Sequence, residues 1–165
     1  MSIGKVLNRQ LIFLLLIPLA GIFLLLWGGR IIYLSVISTD WPQTEGIVIS
    51  SGVEKYDSGL LNKEEGPSYG ARVVYKYTVA QIPYTGSIIS FSDYNSGSPR
   101  HPLEVIKQYP PGRRVTVHYS PQNPGLSVLE TGVTWKSFIV FIIGLIFIAT
   151  GTLFVLLEYY KKAPN

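Results

Sequence analysis

Leu11 to Leu34 reads LIFLLLIPLAGIFLLLWGGRIIYL, and Arg30 is its only charged residue. At 1.5 Å per residue, roughly 24 helical residues cover about 36 Å, enough to cross a hydrocarbon core of about 30 Å with some tilt. Phe138 to Leu157, FIVFIIGLIFIATGTLFVLL, carries no charge at all. A helix buried in a small soluble domain would need a polar face to meet water. Neither stretch has one, so both are read as transmembrane helices. The first also begins like a signal peptide, with Lys5 and Arg9 ahead of an apolar run. It exceeds the roughly 7–15 apolar residues of a signal sequence, and no small-x-small cleavage pattern follows. It is therefore read as a retained anchor.

Charge sets the orientation. From Thr39 to Lys136 there are nine basic and nine acidic residues, so the middle is neutral. The net +4 comes from Lys5, Arg9, Arg30, Lys161 and Lys162 against Glu158. Surplus cations at helix flanks are a topology signal, not the one-sided patch of a nucleic-acid binder. Basic residues outside both spans place residues 1–10 and 158–165 in the cytoplasm and residues 39–136 on the other side. Trp27, Tyr33, Trp41 and Trp135 are expected at the outer interface, and Tyr159 and Tyr160 at the inner one. Arg30 lies close enough to the outer end to snorkel. Pro18 is expected to bend the first span. Gly21 and Gly28 are seven apart, as are Ser137, Gly144 and Gly151. Such stripes return to nearly one helix face and let backbones approach, within one chain or between two copies.

Between the spans the pattern changes to strands. Trp41-Pro42 stops the first helix. Glu45 to Tyr56 reads as a strand, bent at Gly52. In Tyr69 to Val79, Val73, Tyr75, Tyr77 and Val79 alternate with polar or outward positions and are assigned to the core. Ala80-Gln81 turns the chain into a partner strand, Tyr84 to Phe91. Pro102 to Tyr109 is a short helix, Arg113 to Tyr119 a further alternating strand, and Leu126 to Glu130 a last one. Val115, Val117 and Tyr119 face in; His118 faces out. Asp57–Ser68 and Asp93–Pro99 are loops. The fold class is thus membrane α plus a small all-β domain, with five strands and one short helix between the spans. The element order matches an OB-like β-barrel. A sandwich-like arrangement or a curled antiparallel sheet fits nearly as well.

Three stretches carry a family likeness: Trp41-Pro42 with Gly46; Val73-x-Tyr75-x-Tyr77-x-Val79 followed by Tyr84-x-Gly86; and Tyr109-Pro110-x-Gly112-x-x-Val115-x-Val117-x-Tyr119-x-Pro121, then Pro124 and Leu129-Glu130-x-Gly132. On these residues the chain resembles the bacterial membrane-protein family known as domain of unknown function 3592. Together with the spans the likeness covers most of the chain. That family usually has glycine or asparagine at the hairpin turn, where this chain has Ala80-Gln81, with Pro83 close behind. The family carries no agreed activity, so the resemblance implies an architecture and no catalytic residue. Taken with the basic flanks, the expected location is the bacterial inner membrane, multi-pass, with both termini cytoplasmic.

Chemical signatures are few. Without cysteine there is no disulfide, thiolate nucleophile or thiolate zinc site. His101 and His118 are the only histidines and stand in no metal-ligand spacing. Asp93-x-Asn95-x-Gly97 opens like a calcium loop, but glycine falls one place early, so it is read as an Asx turn. Glu64-Glu65 lies in a loop, a poor support for acid–base work. No serine-nucleophile or phosphate-loop motif is present. No catalytic, metal or cofactor residue is assigned, no cofactor is expected, and nucleic acid is excluded as a partner. Of eleven tyrosines, Tyr56, Tyr69 and Tyr94 border loops and are the candidate interaction residues. The best-supported function is an extracytoplasmic interaction module, an accessory subunit of an envelope complex. The bilayer is its partner, along with a membrane protein or a second copy held through the glycine stripes. A lipid or cell-wall hydrolase using His101 or His118, and a glycan or small-ligand binder using tyrosines, are the alternatives.

Overall fold

The computed structural model describes residues 3–56, 67–92 and 98–162. Tyr94, the Asp93/Asn95/Gly97 turn, Glu64-Glu65 and most of the two long loops lie outside the described residues, as do the side chains of Lys5, Arg9 and Tyr159. The chain divides into two compact units, residues 34–133 and residues 1–33 with 134–165.

The second of these units is a helix pair. α1 (Ile3–Ile37) contains Pro18, and α3 (Ile139–Lys162) follows a 3₁₀ turn at Trp135–Phe138. Thr134 and Ser137 form a capping box ahead of α3, each side chain meeting the other's backbone N–H. Both helices are long and apolar enough to cross a membrane, and large side chains such as Leu19, Phe23, Leu26, Leu153 and Phe154 point outward from the pair.

The residue 34–133 unit is one antiparallel sheet of five strands: β1 (Gln43–Tyr56), β2 (Ser68–Val79), β3 (Ile82–Gly86), β4 (Arg114–Tyr119) and β5 (Ser127–Val128), in spatial order β3-β2-β1-β4-β5. α2 (Arg100–Gln108) lies against β1 and β2. Pro102 is buried in its first turn, where a missing N–H breaks no helix bond. The core is Val48, Val73, Tyr75, Tyr77, Ile89, Val117 and Leu129, with Val105 and Tyr109 packed on it. Gly132 N–H donates to Ser35 C=O at 3.2 Å, so the first and last residues of the domain meet.

The motif residues have local reasons. Pro110 C=O accepts from Arg113 N–H at 3.1 Å, with Gly112 at φ +83° in the third place of the turn. That is a type II turn, which needs a residue free of a Cβ clash there. Gly112 N–H then donates to Val48 C=O at 2.8 Å and Val48 N–H to Arg113 C=O at 3.0 Å, stitching β4's entry onto β1. At Gly86 an added Cβ would stand 2.5 Å from the Tyr75 ring and from Ser127 Oγ, so only glycine lets β3 lie beside that phenol.

Four expectations need correcting. The sheet is open, so it is neither an OB-like barrel nor a sandwich; of the alternatives, an antiparallel sheet with one helix is the one observed. A barrel needs its outer strands to pair, and β3 and β5 span only five and two residues. β3 runs Ile82–Gly86 instead of Tyr84–Phe91, because the chain leaves the edge to lay Ile89 on the core, where its carbonyl accepts from both Leu129 and Glu130 N–H. The irregularity in β1 is a bulge at Ile49, between Val48↔Tyr75 and Ser50↔Val74, and not a bend at Gly52. Trp41 is 7% exposed and packs edge-on against Phe91 (5.8 Å between centroids), so it is a core residue of the domain and not an interfacial anchor.

The hairpin turn keeps its place without glycine. Ala80 and Gln81 both adopt positive φ, 48° and 68°, the pattern of a type I′ turn. Val79↔Ile82 flank the turn and Thr78↔Pro83 come next. In a two-residue hairpin that second pair exchanges no ladder bonds, so Pro83 sacrifices none, and β3 is an edge strand where proline is tolerated.

Candidate functional site

A single sheet covered on one side leaves its other face bare. Alternation puts Val48 inward and Ile47 and Ile49 outward, and these two are 52% and 53% exposed. Ile47 pairs across the sheet with Lys76 on β2 and Arg114 on β4. Directly opposite residues share a face, so Ile47 has a basic neighbour on each side, and Ile49 lines the same depression. Glu45, Lys76, Thr78 and Arg114 complete an open depression of about 430 Å³. Arg114 Nη1 is 3.6 Å from Glu45 Oε2, with both side chains largely in solvent, so the pair is loosely held. The sequence reading of Glu45–Tyr56 assigned no inner or outer face, so it did not find this patch.

At the far end of the β1–β2 ribbon, Tyr56 OH donates to Glu54 Oε2 at 2.5 Å, and Arg72 Nη1 donates to Glu54 Oε1 at 2.5 Å. The Tyr56 hydroxyl, and then the Arg72 guanidinium, hold the Glu54 carboxyl below its usual range. The same bond raises the Tyr56 phenol. Tyr69 does not join this group. It pairs with Lys55, while Tyr56 pairs with Ser68. Adjacent pairs point to opposite faces, so Tyr69 lies on the side of Val73 and Tyr56 on the bare side. The two described tyrosine candidates therefore make no common stacking platform.

The core tyrosines are satisfied internally. Tyr75 OH donates to Ile88 C=O at 2.9 Å, which leaves Ser127 Oγ, 3.1 Å away, to donate back to the phenol oxygen. Tyr77 OH donates to Pro124 C=O at 2.5 Å. Burial raises both phenols above their ordinary value. Tyr109 OH donates to Glu130 Oε1 at 2.7 Å, beneath the Arg113 guanidinium.

His101 is exposed on α2. His118 is half-buried rather than a surface residue, because β1 and β5 flank it through Gln43 and Val128. Its Nδ1 is covered and has no hydrogen-bond partner among the described residues. A catalytic imidazole is normally oriented by a partner on its second nitrogen. No group of three metal-ligating side chains occurs among the described residues.

In the helix pair, all four glycines of the stripes are buried. An added Cβ would stand 2.5 Å from Phe141 N at Gly28, 2.8 Å from Ile148 N at Gly21, 2.7 Å from Leu25 N at Gly144 and 2.6 Å from Pro18 Cδ at Gly151. The stripes of α1 and α3 thus face each other within one chain.

The family described as Domain of unknown function (DUF3592) matches residues 44–134, more than half of the chain. A comparison with curated proteins finds no match.

Proposed function

We propose a function from the premise that the chain belongs to the DUF3592 family. The protein is a membrane-anchored interaction module of the bacterial inner membrane, an accessory subunit of an envelope complex. It crosses the bilayer twice, keeps both termini in the cytoplasm and holds its sheet domain outside. The basic flanks and the two apolar helices support that topology. The meeting of Ser35 with Gly132 supports a domain suspended from both spans.

The observation that carries the reading is the bare sheet face. Two half-exposed isoleucines ringed by Glu45, Lys76 and Arg114 have the make-up of a small interface centre, apolar within and charged around. The glycine stripes are occupied within the chain, so this face, and not the stripes, receives the partner, another envelope protein. The hydrolase reading loses support from the unoriented His118, and the glycan reading from the separation of Tyr56 and Tyr69.

The test is affinity purification of the tagged full chain from native membranes in mild detergent. Wild type should recover a stoichiometric protein partner. Ile47→Asp with Ile49→Asp should lose it, while the thermal transition stays within a few degrees because both positions already face water. Repeated recovery of the chain alone overturns the proposal.

A further inference from the structure

Arg30 is the charged residue that the interaction surface leaves unexplained. It is exposed on α1, belongs to none of the ion pairs joining the described residues, and is framed by two exposed rings, Trp27 (54%) one turn before and Tyr33 (62%) one turn after.

The helix packing fixes its level. Close approaches pair position 18 with 151, 21 with 148, 25 with 144 and 28 with 141. Continuing that antiparallel register, Arg30 stands level with Ile139, the first residue of α3, and Tyr33 with Lys136. Trp135, beside Lys136, is 72% exposed. Arg30, Tyr33, Lys136 and Trp135 therefore lie within about one helical turn of a common level, with α1 running on from there through Ile31 to Ile37. Counting from Leu11, Arg30 lies about 28 Å along the helix, close to the full thickness of a hydrocarbon core of about 30 Å. Lipid phosphates sit just beyond that border, within reach of an extended arginine. In residues 1–33 and 134–165 the only acidic residue is Glu158, at the opposite end, where it pairs with Lys161. The helix pair supplies Arg30 with no carboxylate of its own.

On the two-span reading above, we propose that Arg30, framed by Trp27 and Tyr33, is a headgroup site for an anionic phospholipid of the outer leaflet. The guanidinium presents a planar fork that matches a phosphodiester's two oxygens. Interfacial tryptophan and tyrosine rings lie at headgroup depth and brace the glycerol region. A second copy does not fit: two chains in the same orientation packed through this face would set Arg30 against Arg30. The competing occupant is a carboxylate on another protein's membrane helix, and the experiment separates the two.

The full chain, purified in mild detergent, is exposed to equal amounts of phosphatidylglycerol and phosphatidylcholine, and retained lipids are read by native mass spectrometry. Wild type keeps phosphatidylglycerol preferentially. Arg30→Gln lowers that preference about fivefold, the weight of one interfacial cation, and Arg30→Lys lowers it less. Unchanged preference in Arg30→Gln overturns the proposal, as does loss of a stoichiometric protein with lipid retention intact. Should Arg30→Gln fail to fold, wild type in nanodiscs decides. Brominated phosphatidylglycerol must quench tryptophan more than brominated phosphatidylcholine at the same mole fraction, and equal quenching overturns the site. Carbonate washing tests the premise separately: release of wild type from membranes sinks the two-span reading. Retention of wild type, with no lipid preference, sinks the headgroup site alone.

Discussion

Tyr75→Phe tests the packing argument most sharply. The substitution keeps the ring and removes one oxygen, so no cavity larger than a hydroxyl forms. That oxygen serves two groups: it donates to Ile88 C=O at 2.9 Å and accepts from Ser127 Oγ at 3.1 Å. Ile88 is half-exposed and its carbonyl can turn to water, whereas Ser127 is 1% exposed and cannot. Ser127 still has the Tyr77 phenol as a side-chain hydrogen-bond partner, so the cost is mainly one buried hydrogen bond, about 0.5–1.5 kcal/mol. For a domain of about 100 residues each kcal/mol is worth roughly 4–8 °C, so the melting temperature of the full chain in detergent should fall by roughly 2–12 °C. Ser127→Ala should cost less in the Tyr75→Phe background than in wild type, because the bond between the two is already gone. Alkali gives an independent reading. Burial raises the Tyr75 phenol, so the unfolded chain releases this proton at lower pH than the native one. Stability is therefore full below pH of about 10 and falls above it, by about 1.4 kcal/mol per pH unit per raised phenol. Tyr77 is raised by burial as well. Wild type should lose stability steeply above that pH, and Tyr75→Phe should lose it with a shallower slope. The reasoning fails if Tyr75→Phe melts with wild type, or if the two alkaline slopes coincide.

Replacing Ala80-Gln81 by Asn-Gly should stabilise the hairpin by about 1 kcal/mol, since both residues now hold positive φ against their preference; a lower melting temperature would refute the turn assignment. Gly28→Leu should loosen the helix pair, because its Cβ alone would come within 2.5 Å of the Phe141 backbone. A lower thermal transition of the full chain in mild detergent reports this, and an unchanged transition would refute the packing of the two stripes. Tyr56→Phe should leave the melting temperature unchanged, as its bond to Glu54 is made in open solvent.

The parts of the fold that were legible are those whose signal is local. Two apolar runs with a single charge between them announce helices whatever surrounds them, and the two-residue period of Arg72–Val79 gave the burial of Val73, Tyr75 and Tyr77 residue by residue. Closure of the sheet was not local. Whether five strands form a barrel depends on β3 meeting β5, and that depends on where each stops. Nothing in Ile88-Ile89 says strand or cap: the pair continues the apolar alternation of β3. Only the acceptors Tyr75 OH and Leu129 and Glu130 N–H require find their place by pulling this segment off the edge. Trp41 was misplaced for a similar reason. A tryptophan next to a span looks interfacial until Phe91, fifty residues on, is brought beside it.

The candidate site was hidden by the same non-locality. Gly46 to Val53, GIVISSGV, offers apolar residues in both phases of a two-residue period, so the sequence names two possible inner faces. The choice is made at Val48, whose N–H and C=O are both taken by the turn at Gly112-Arg113. That grip fixes Val48 inward beside Tyr75 and leaves Ile49 as the extra residue of the bulge. Beyond the bulge the phase inverts, so Ser51 and Val53 take the inner side and Glu54 and Tyr56 come out on the same face as Ile47. A nine-residue α2 covers the inner face. With the sheet open, nothing among the described residues covers the outer one, and Ile47 and Ile49 stay half in water. A sequence constrained only to fold would lose nothing by placing threonine or lysine there, as it does at Thr116 and Lys76. Two isoleucines at the one point where both β2 and β4 present a cation are therefore better explained by a surface that is covered when the protein works.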